Sequence, residues 1–340
     1  MMRGWRCLAL ACAVSLVTTP ALADKTAAGK AASSPSKAAK ARDKAQLAFQ
    51  RDLISVLAPS ATAQPLLGAA LLARPLFNQP GTGSFHTLIG RAAMAEDADA
   101  AVSWVRLADC DAKADACPNP AALELLQTQA ADNAAVWLLK LAEDTRNLKS
   151  DAAREDLGRA AAAKLYDDYT GASLKALASA VGTLPPPAGT FDPAHAAGAV
   201  GMQTMLVYGI GSSQPQPGLQ LTAKLCENAG DDASIKADCL KLGKTLEWGS
   251  SPLARSLGLH LREVLADDPA QQEDAKRTRL SLIWQVQSFA QLLARAPDDK
   301  ALAQHLLALA RNGGTEMSLV LAALRDNNLP TDPPADWKPQ

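Results

Sequence analysis

Residues 133–143, NAAVWLLKLAE, restate at a distance of 34 positions what residues 99–109, DAAVSWVRLAD, say first. Asn replaces Asp at the start, Ala-Ala-Val follows in both, and both close on Leu-Ala before an acid. In the second copy Ala134, Trp137, Leu138, Leu141 and Ala142 recur at steps of three and four, which places all five on one face of a helix. Asn133 or Asp132 offers a side-chain oxygen to the unpaired N–H groups of its first turn. Such an apolar stripe is half a core, so it needs a partner surface from the flanking text.

Downstream, after the turn NLKSD, Ala153, Leu157, Ala160 and Ala161 line the inner side of a second helix, and the short connection makes the pair antiparallel. Upstream, Asn119 and Pro120 supply a cap and a first-turn proline for the helix AALELLQTQ, which pairs with the helix of residues 99–109. The unit is helix, turn, helix, repeated at 34. This period resembles the tetratricopeptide repeat, whose first helix carries an aromatic, a leucine three on, and then a small residue. Trp104, Leu107 and Ala108 follow that order; Leu138, Leu141 and Ala142 hold the same positions, with the tryptophan one place earlier at Trp137. Ala153, Leu157 and Ala160 are similar to the small-large-small order of the second helix, and a third copy starts at Asp168 and ends its helix with SLKALA. The likeness covers residues 97–178. The insertion CDAKADAC in the first turn and the lack of a proline after each repeat depart from it. The resemblance implies stacked hairpins with a concave face that binds peptides or partner helices.

Composition agrees with an all-α fold: the chain is rich in Ala and Leu, and aromatic residues are only 4%. Residues 45–183 read as the helical repeat domain. Residues 184–192, with three consecutive prolines, stop any helix and read as a linker. Residues 193–328 show further helical stripes, for instance Leu282, Val286, Phe289 and Leu293, and form a C-terminal helical domain or second layer. Residues 329–340 read as a disordered, Pro-rich tail.

At the other end, Arg3 and Arg6 precede the apolar CLALACAVSLV, and ALA ends at Ala23. This is the layout of a signal peptide over residues 1–23, cleaved near Ala23, which sends the chain to the periplasm or the medium. Cys12 in LALAC offers a lipoprotein alternative, against which the later small-residue site counts. Residues 24–44 are a Lys/Ala/Ser text without an apolar stripe, expected to be a disordered cationic segment. Cleavage takes two arginines from a balance of 34 basic and 35 acidic residues. The near-neutral remainder makes no electrostatic case for nucleic acid.

Export would leave Cys110, Cys117, Cys226 and Cys239, an even number in an oxidising compartment, which favours disulfides. Three connectivities are possible; locality favours Cys110 with Cys117 and Cys226 with Cys239. Neither spacing is that of a zinc site, and no pair of histidines lies nearby, so neither metal nor cofactor is expected.

No nucleophile elbow, zinc-protease motif or phosphate loop occurs; GIGSS at 209–213 lacks the Gly-Lys-Ser/Thr ending and reads as a helix-breaking loop. His86, His195, His260 and His305 are scattered, and His260 shares a helix face only with Glu263. The most suggestive polar cluster is YDDY, where Tyr166, Asp167 and Asp168 could share protons, although adjacent helical residues do not face one another and either Asp suits a helix cap. Trp104, Trp137, Trp248 and Trp284 are expected in the core, and Trp337 exposed in the tail. The reading that follows is a non-enzymatic scaffold binding a protein or peptide of the cell envelope. The alternative is a helical cell-envelope hydrolase or lyase using Tyr166, Asp167, Asp168 and His195 between the two halves.

Overall fold

The computed structural model describes residues 36–110, 117–230 and 232–339. Over these the chain is all-helical, with fifteen α-helices, two single-turn 3₁₀ segments and no strand. The expected signal peptide, and the cationic segment up to residue 35, lie outside the described residues.

The first helix, α1 (Lys37–Leu57), begins inside the segment expected to be disordered up to residue 44. Its far end is anchored by buried Phe49, Leu53 and Ile54, and a helix once nucleated extends at little cost through good formers such as Lys, Ala and Arg. It stops where the Ser36 hydroxyl accepts from the Ala39 N–H at 3.1 Å. The helix α2 (Ala63–Ala73), AQPLLGAALLA, is apolar on every side and buried along its length. A helix of that kind must be surrounded. Around it pack α1, α3 (Phe85–Ala93), α4 (Ala100–Arg106) and, from later in the chain, α8 (Thr170–Ala180).

Between α4 and α8 lie α5 (Pro120–Gln129), α6 (Ala134–Arg146) and α7 (Ser150–Ala162), each packed on its sequence neighbour. One side-chain turn repeats with the text, as the cap of α4 and of α6 and as a turn ahead of α8. Asp99 Oδ1 accepts from the Ala101 N–H at 3.0 Å, Asn133 Oδ1 from Ala135 at 3.1 Å, and Asp167 Oδ1 from Tyr169 at 2.9 Å. These three positions are 34 apart, and each side chain holds the N–H two residues on.

After the 3₁₀ turn Ala188–Thr190 come α9 (Gly198–Gly211), α10 (Leu219–Glu227), α11 (Ala233–Leu246), α12 (Pro252–Leu265), the long α13 (Pro269–Arg295), α14 (Lys300–Asn312) and α15 (Glu316–Asp326). The proline-rich segment 184–192 is held against α1: Gln46 Nε2 donates to the Thr190 carbonyl at 2.7 Å, and Arg42 pairs with Asp192 at 2.8 Å. Two hydrophobic cores draw on both sides of it. One joins α1–α4 and α8 to Val207, Ile210, Leu307 and Leu319; another joins Trp104 and α5–α7 to α10, α11 and α12. A third lies within the later helices.

The cysteines pair locally, Cys110 with Cys117 at a Cα separation of 5.3 Å and Cys226 with Cys239 at 5.8 Å. The second bridge is buried in the core that α10 and α11 share. Residues 329–339 are irregular and fold back on α13. Trp284 Nε1 donates to the Pro330 carbonyl at 2.8 Å, Gln285 to Thr331 at 3.0 Å, and the Trp337 ring stands edge-on to Trp284 at 5.5 Å. Trp284 and Trp337 thus shield each other, neither fully buried. Trp248 also departs from expectation: it is 80% exposed, because it lies beyond the end of α11, where helical periodicity no longer assigns a face. Trp104 and Trp137 are buried. No described helix is long and apolar enough to cross a membrane.

Candidate functional site

The YDDY segment connects α7 to α8, and its shape is set by hydrogen bonds from two distant places. Asn133 is the first. Its amide nitrogen donates to the Asp167 carbonyl at 2.7 Å and to Tyr169 Oη at 3.3 Å, while its oxygen accepts from the Asp167 N–H at 2.9 Å. Ser250, in the turn before α12, is the second. Its hydroxyl donates to Asp168 Oδ1 at 3.2 Å, its N–H donates to the Tyr166 carbonyl at 3.1 Å, and its carbonyl accepts from Met317 at 2.9 Å. Three loops are tied in one knot. The Asp168 carboxylate also accepts from the Thr170 N–H at 3.3 Å at the start of α8. Tyr169 takes a left-handed backbone conformation and lays its ring on Trp104 at 5.6 Å.

Burial sets the electrostatics of this knot. It pushes the Tyr166 phenol well above its ordinary value, raises Asp167, and lifts Glu316 to about 7, with the Asp168 charge adding to that rise. Tyr166 Oη and Ser251 Oγ are buried without a well-formed hydrogen bond.

His195 is elsewhere. It bonds Asp298 at 2.6 Å through Nδ1 and lines a cavity of about 440 Å³ with Phe191, Met202, Met205 and Pro297. The polar groups at that cavity are engaged locally, Arg42 with Asp192 and Gln46 with Thr190. The structure therefore brings Tyr166, Asp167 and Asp168 together and leaves His195 out, sharing no partner with them. The other histidines each hold one carboxylate: His86 with Asp109, His260 with Glu227 and His305 with Asp326. The companion of His260 is thus not Glu263, which pairs with Arg279. Among the described residues no group of three or more His, Cys, Asp or Glu is arranged to hold a metal.

A groove opens elsewhere, beside buried polar groups that lack partners. With a volume of about 790 Å³, it runs between α6 and the loop 213–218, with Leu107 and Ala108, Cys117 and Pro118, and the end of α2 as its other margins. Leu107, Leu139, Ala142 and Leu221 make it apolar; Pro75, Pro118, Pro215 and Pro217 frame it. Gly218 allows the loop to approach α6 this closely, since a Cβ there would stand 2.7 Å from the Leu138 carbonyl. Gln214 lines the groove at 5% exposure, yet neither its amide oxygen nor its amide nitrogen has a partner. Arg74 donates from Nη2 to Ser213, while its Nη1 is buried and unpaired. Arg146, exposed on α6, has no acidic partner among the described residues.

No protein-family model, curated protein or solved structure matches the chain. The chemistry of the groove and the knot therefore carries the functional reading. The groove is not legible in the sequence because its residues come from four separated segments. Its one textual signal was QPQP at 214–217, which reads only as a helix breaker.

Proposed function

We propose that this is a non-enzymatic binding protein of an oxidising compartment, periplasmic or secreted, which holds a protein or peptide segment in the groove beside α6. The observation that carries it is the open groove itself, apolar along Leu107, Leu139, Ala142 and Leu221 with Arg146 exposed at it. Apolar margins with a few convergent polar groups are the usual make-up of a ligand cleft. The recurring side-chain turns at Asp99, Asn133 and Asp167 favour a tetratricopeptide-like array as the scaffold, and the two disulfides favour export. Hydrolysis or lysis of envelope material is the weaker reading: its acid, base and phenol would have to converge, and His195 stands apart from the knot.

A random-peptide display selection against the disulfide-intact protein tests the proposal. Enriched peptides should bind the native chain and lose binding to Leu221→Glu, which puts a charge on the groove margin, at a temperature where circular dichroism shows that variant folded. A selection that enriches nothing, or peptides indifferent to Leu221→Glu, removes the groove as the binding site.

A further inference from the structure

The first turn of α15 is fastened to the rest of the molecule at the YDDY knot. Gly314, just ahead of that helix, packs against Gly171 at the start of α8 so closely that a Cβ on Gly171 would collide with the Gly314 carbonyl. The Met317 N–H donates to the Ser250 carbonyl at 2.9 Å, and the Ser250 hydroxyl donates to Asp168 Oδ1 at 3.2 Å. Glu316, between Gly314 and Met317 in the chain, is thereby brought close enough to Asp168 to feel its charge.

Two acids meet here with little to neutralise them. Asp168 accepts from Ser250 and from the Thr170 N–H, but among the described residues no donor reaches the Glu316 carboxyl. Tyr166 Oη and Ser251 Oγ, buried in the same knot, make no well-formed bond to it. The cations on the packed elements are turned elsewhere. On α8, Lys175 is exposed and lays only its stem near Gly313; on α14, Arg311 donates to the Ala178 carbonyl at 3.3 Å, His305 pairs with Asp326, and Lys300 stands at the opposite end. Arg255 of α12 donates to the Gly249 carbonyl at 2.9 Å. On α13, Lys276, Arg277, Arg279 and Arg295 pair with Glu273, Asp274, Glu263 and Asp299. The remaining titratable groups of the knot are Asp167 and the Tyr166 phenol, neither of them a cation. A hinge precedes the acid: Gly313 and Gly314 take φ values of 82° and 119°, a region in which glycine alone rotates without strain.

We propose that Asp168 and Glu316 form a proton-operated latch: with Glu316 neutral the first turn of α15 stays tied to Ser250 and α8, and with both acids ionised that turn opens about Gly313 and Gly314. Opening is local, because Val320, Ala323 and Leu324 hold the rest of α15 in its core. Buried Met317 favours the closed state, so ionisation makes opening more frequent rather than permanent. Burial lifts Glu316 to about 7, above the value of a solvated glutamate, so the closed state has its full advantage below about pH 4.5 and loses it as the pH rises through about 7. The latch is independent of what the groove binds.

Hydrogen exchange of the full chain, read by mass spectrometry on peptic fragments and corrected for the intrinsic effect of pH, measures this opening. Between pH 5.5 and 8.5 the fragments carrying Ser250 and Met317 should lose protection by roughly tenfold, while fragments of α2 keep theirs. Glu316→Gln, a neutral isostere, should keep the latch closed at both pH values. Asp168→Asn retains the oxygen that accepts from Ser250 but drops the charge, so the midpoint of opening should move to lower pH. Carbon NMR of the chain labelled at its glutamate carboxyls gives a separate reading: the resonance missing from Glu316→Gln should titrate near neutral pH. Titration of that resonance in the ordinary carboxylate range overturns the latch, as does equal protection of the Ser250 and Met317 fragments at the two pH values. Opening that still follows pH in Glu316→Gln belongs to another group and overturns it too. An unchanged midpoint in Asp168→Asn overturns the pairing of the two acids. Parallel loss of protection in α2 would make the event global unfolding instead of a latch.

Discussion

Asn133 shows why a near-repeat is not a repeat. At the equivalent position Asp99 accepts from the Ala101 and Val102 N–H groups, a task for a carboxylate. Asn133 caps α6 in the same way but also donates to the Asp167 carbonyl, and only an amide carries that hydrogen. Replacing it with Ala removes the cap and strands buried partners at Asp167. We expect a loss of about 2–4 kcal/mol, against about 1 for Asp99→Ala, in urea unfolding followed by circular dichroism. Asn133→Asp should also destabilise, since a carboxylate would face a carbonyl. A second residue of consequence is Asp156 on α7. Burial, joined by the nearby Asp144 charge, raises its carboxyl to about 6 despite the opposing Lys140 and Arg159. The folded value thus exceeds the unfolded one, so the stabilising share is complete below pH ~4 and is lost as the pH rises through about 6. Asp156→Asn should raise stability by roughly 1 kcal/mol at pH 7.5, a figure discounted for solvent screening, and flatten the profile between pH 4 and 6. An unchanged slope of melting temperature against pH would sink this assignment.

Among the elements, the crossing of the loop 213–218 over α6 is the most demanding. Gly218 sits on Ala142 and the Leu138 carbonyl with no room for a methyl group. Gly218→Ala must push the loop away, at a cost of about 1–3 kcal/mol, and widen the groove. Peptide affinity and melting temperature should fall together; a stable variant with altered binding would show that the loop relaxes freely. By contrast, the first turns of α1 show an element lengthened by propensity: its buried residues begin at Phe49, yet the helix runs back to the Ser36 cap.

For the whole molecule, the tail 329–339 and the linker 184–192 are tied down rather than loose. The tail closes over α13 through Trp284, Trp337 and the Ser281 hydroxyl, which donates to Asp332 at 2.9 Å. Trp337→Ala should lower stability by about 1 kcal/mol and shift the tryptophan emission to the red as Trp284 meets water. No shift would mean that the tail detaches in solution. Two of the three cores cross the 184–192 segment, so we expect one cooperative unfolding transition rather than two.

Much of this was written in local text. Helices such as α5 and α6 were legible because period and capping are short-range properties, visible in Asn119-Pro120 and in the stripe from Ala134 to Ala142. Cysteine pairing was legible for the same reason, since each pair closes a short loop. The YDDY segment was noticed, but its meaning was not: Ser250 and Asn133, which tie it, are far away in the chain. Trp248 and the tail defeated periodicity because neither lies within a helix. Local spacing determines which faces are apolar and where helices begin; which faces meet depends on contacts between distant segments, and those contacts alone created the groove around Gln214.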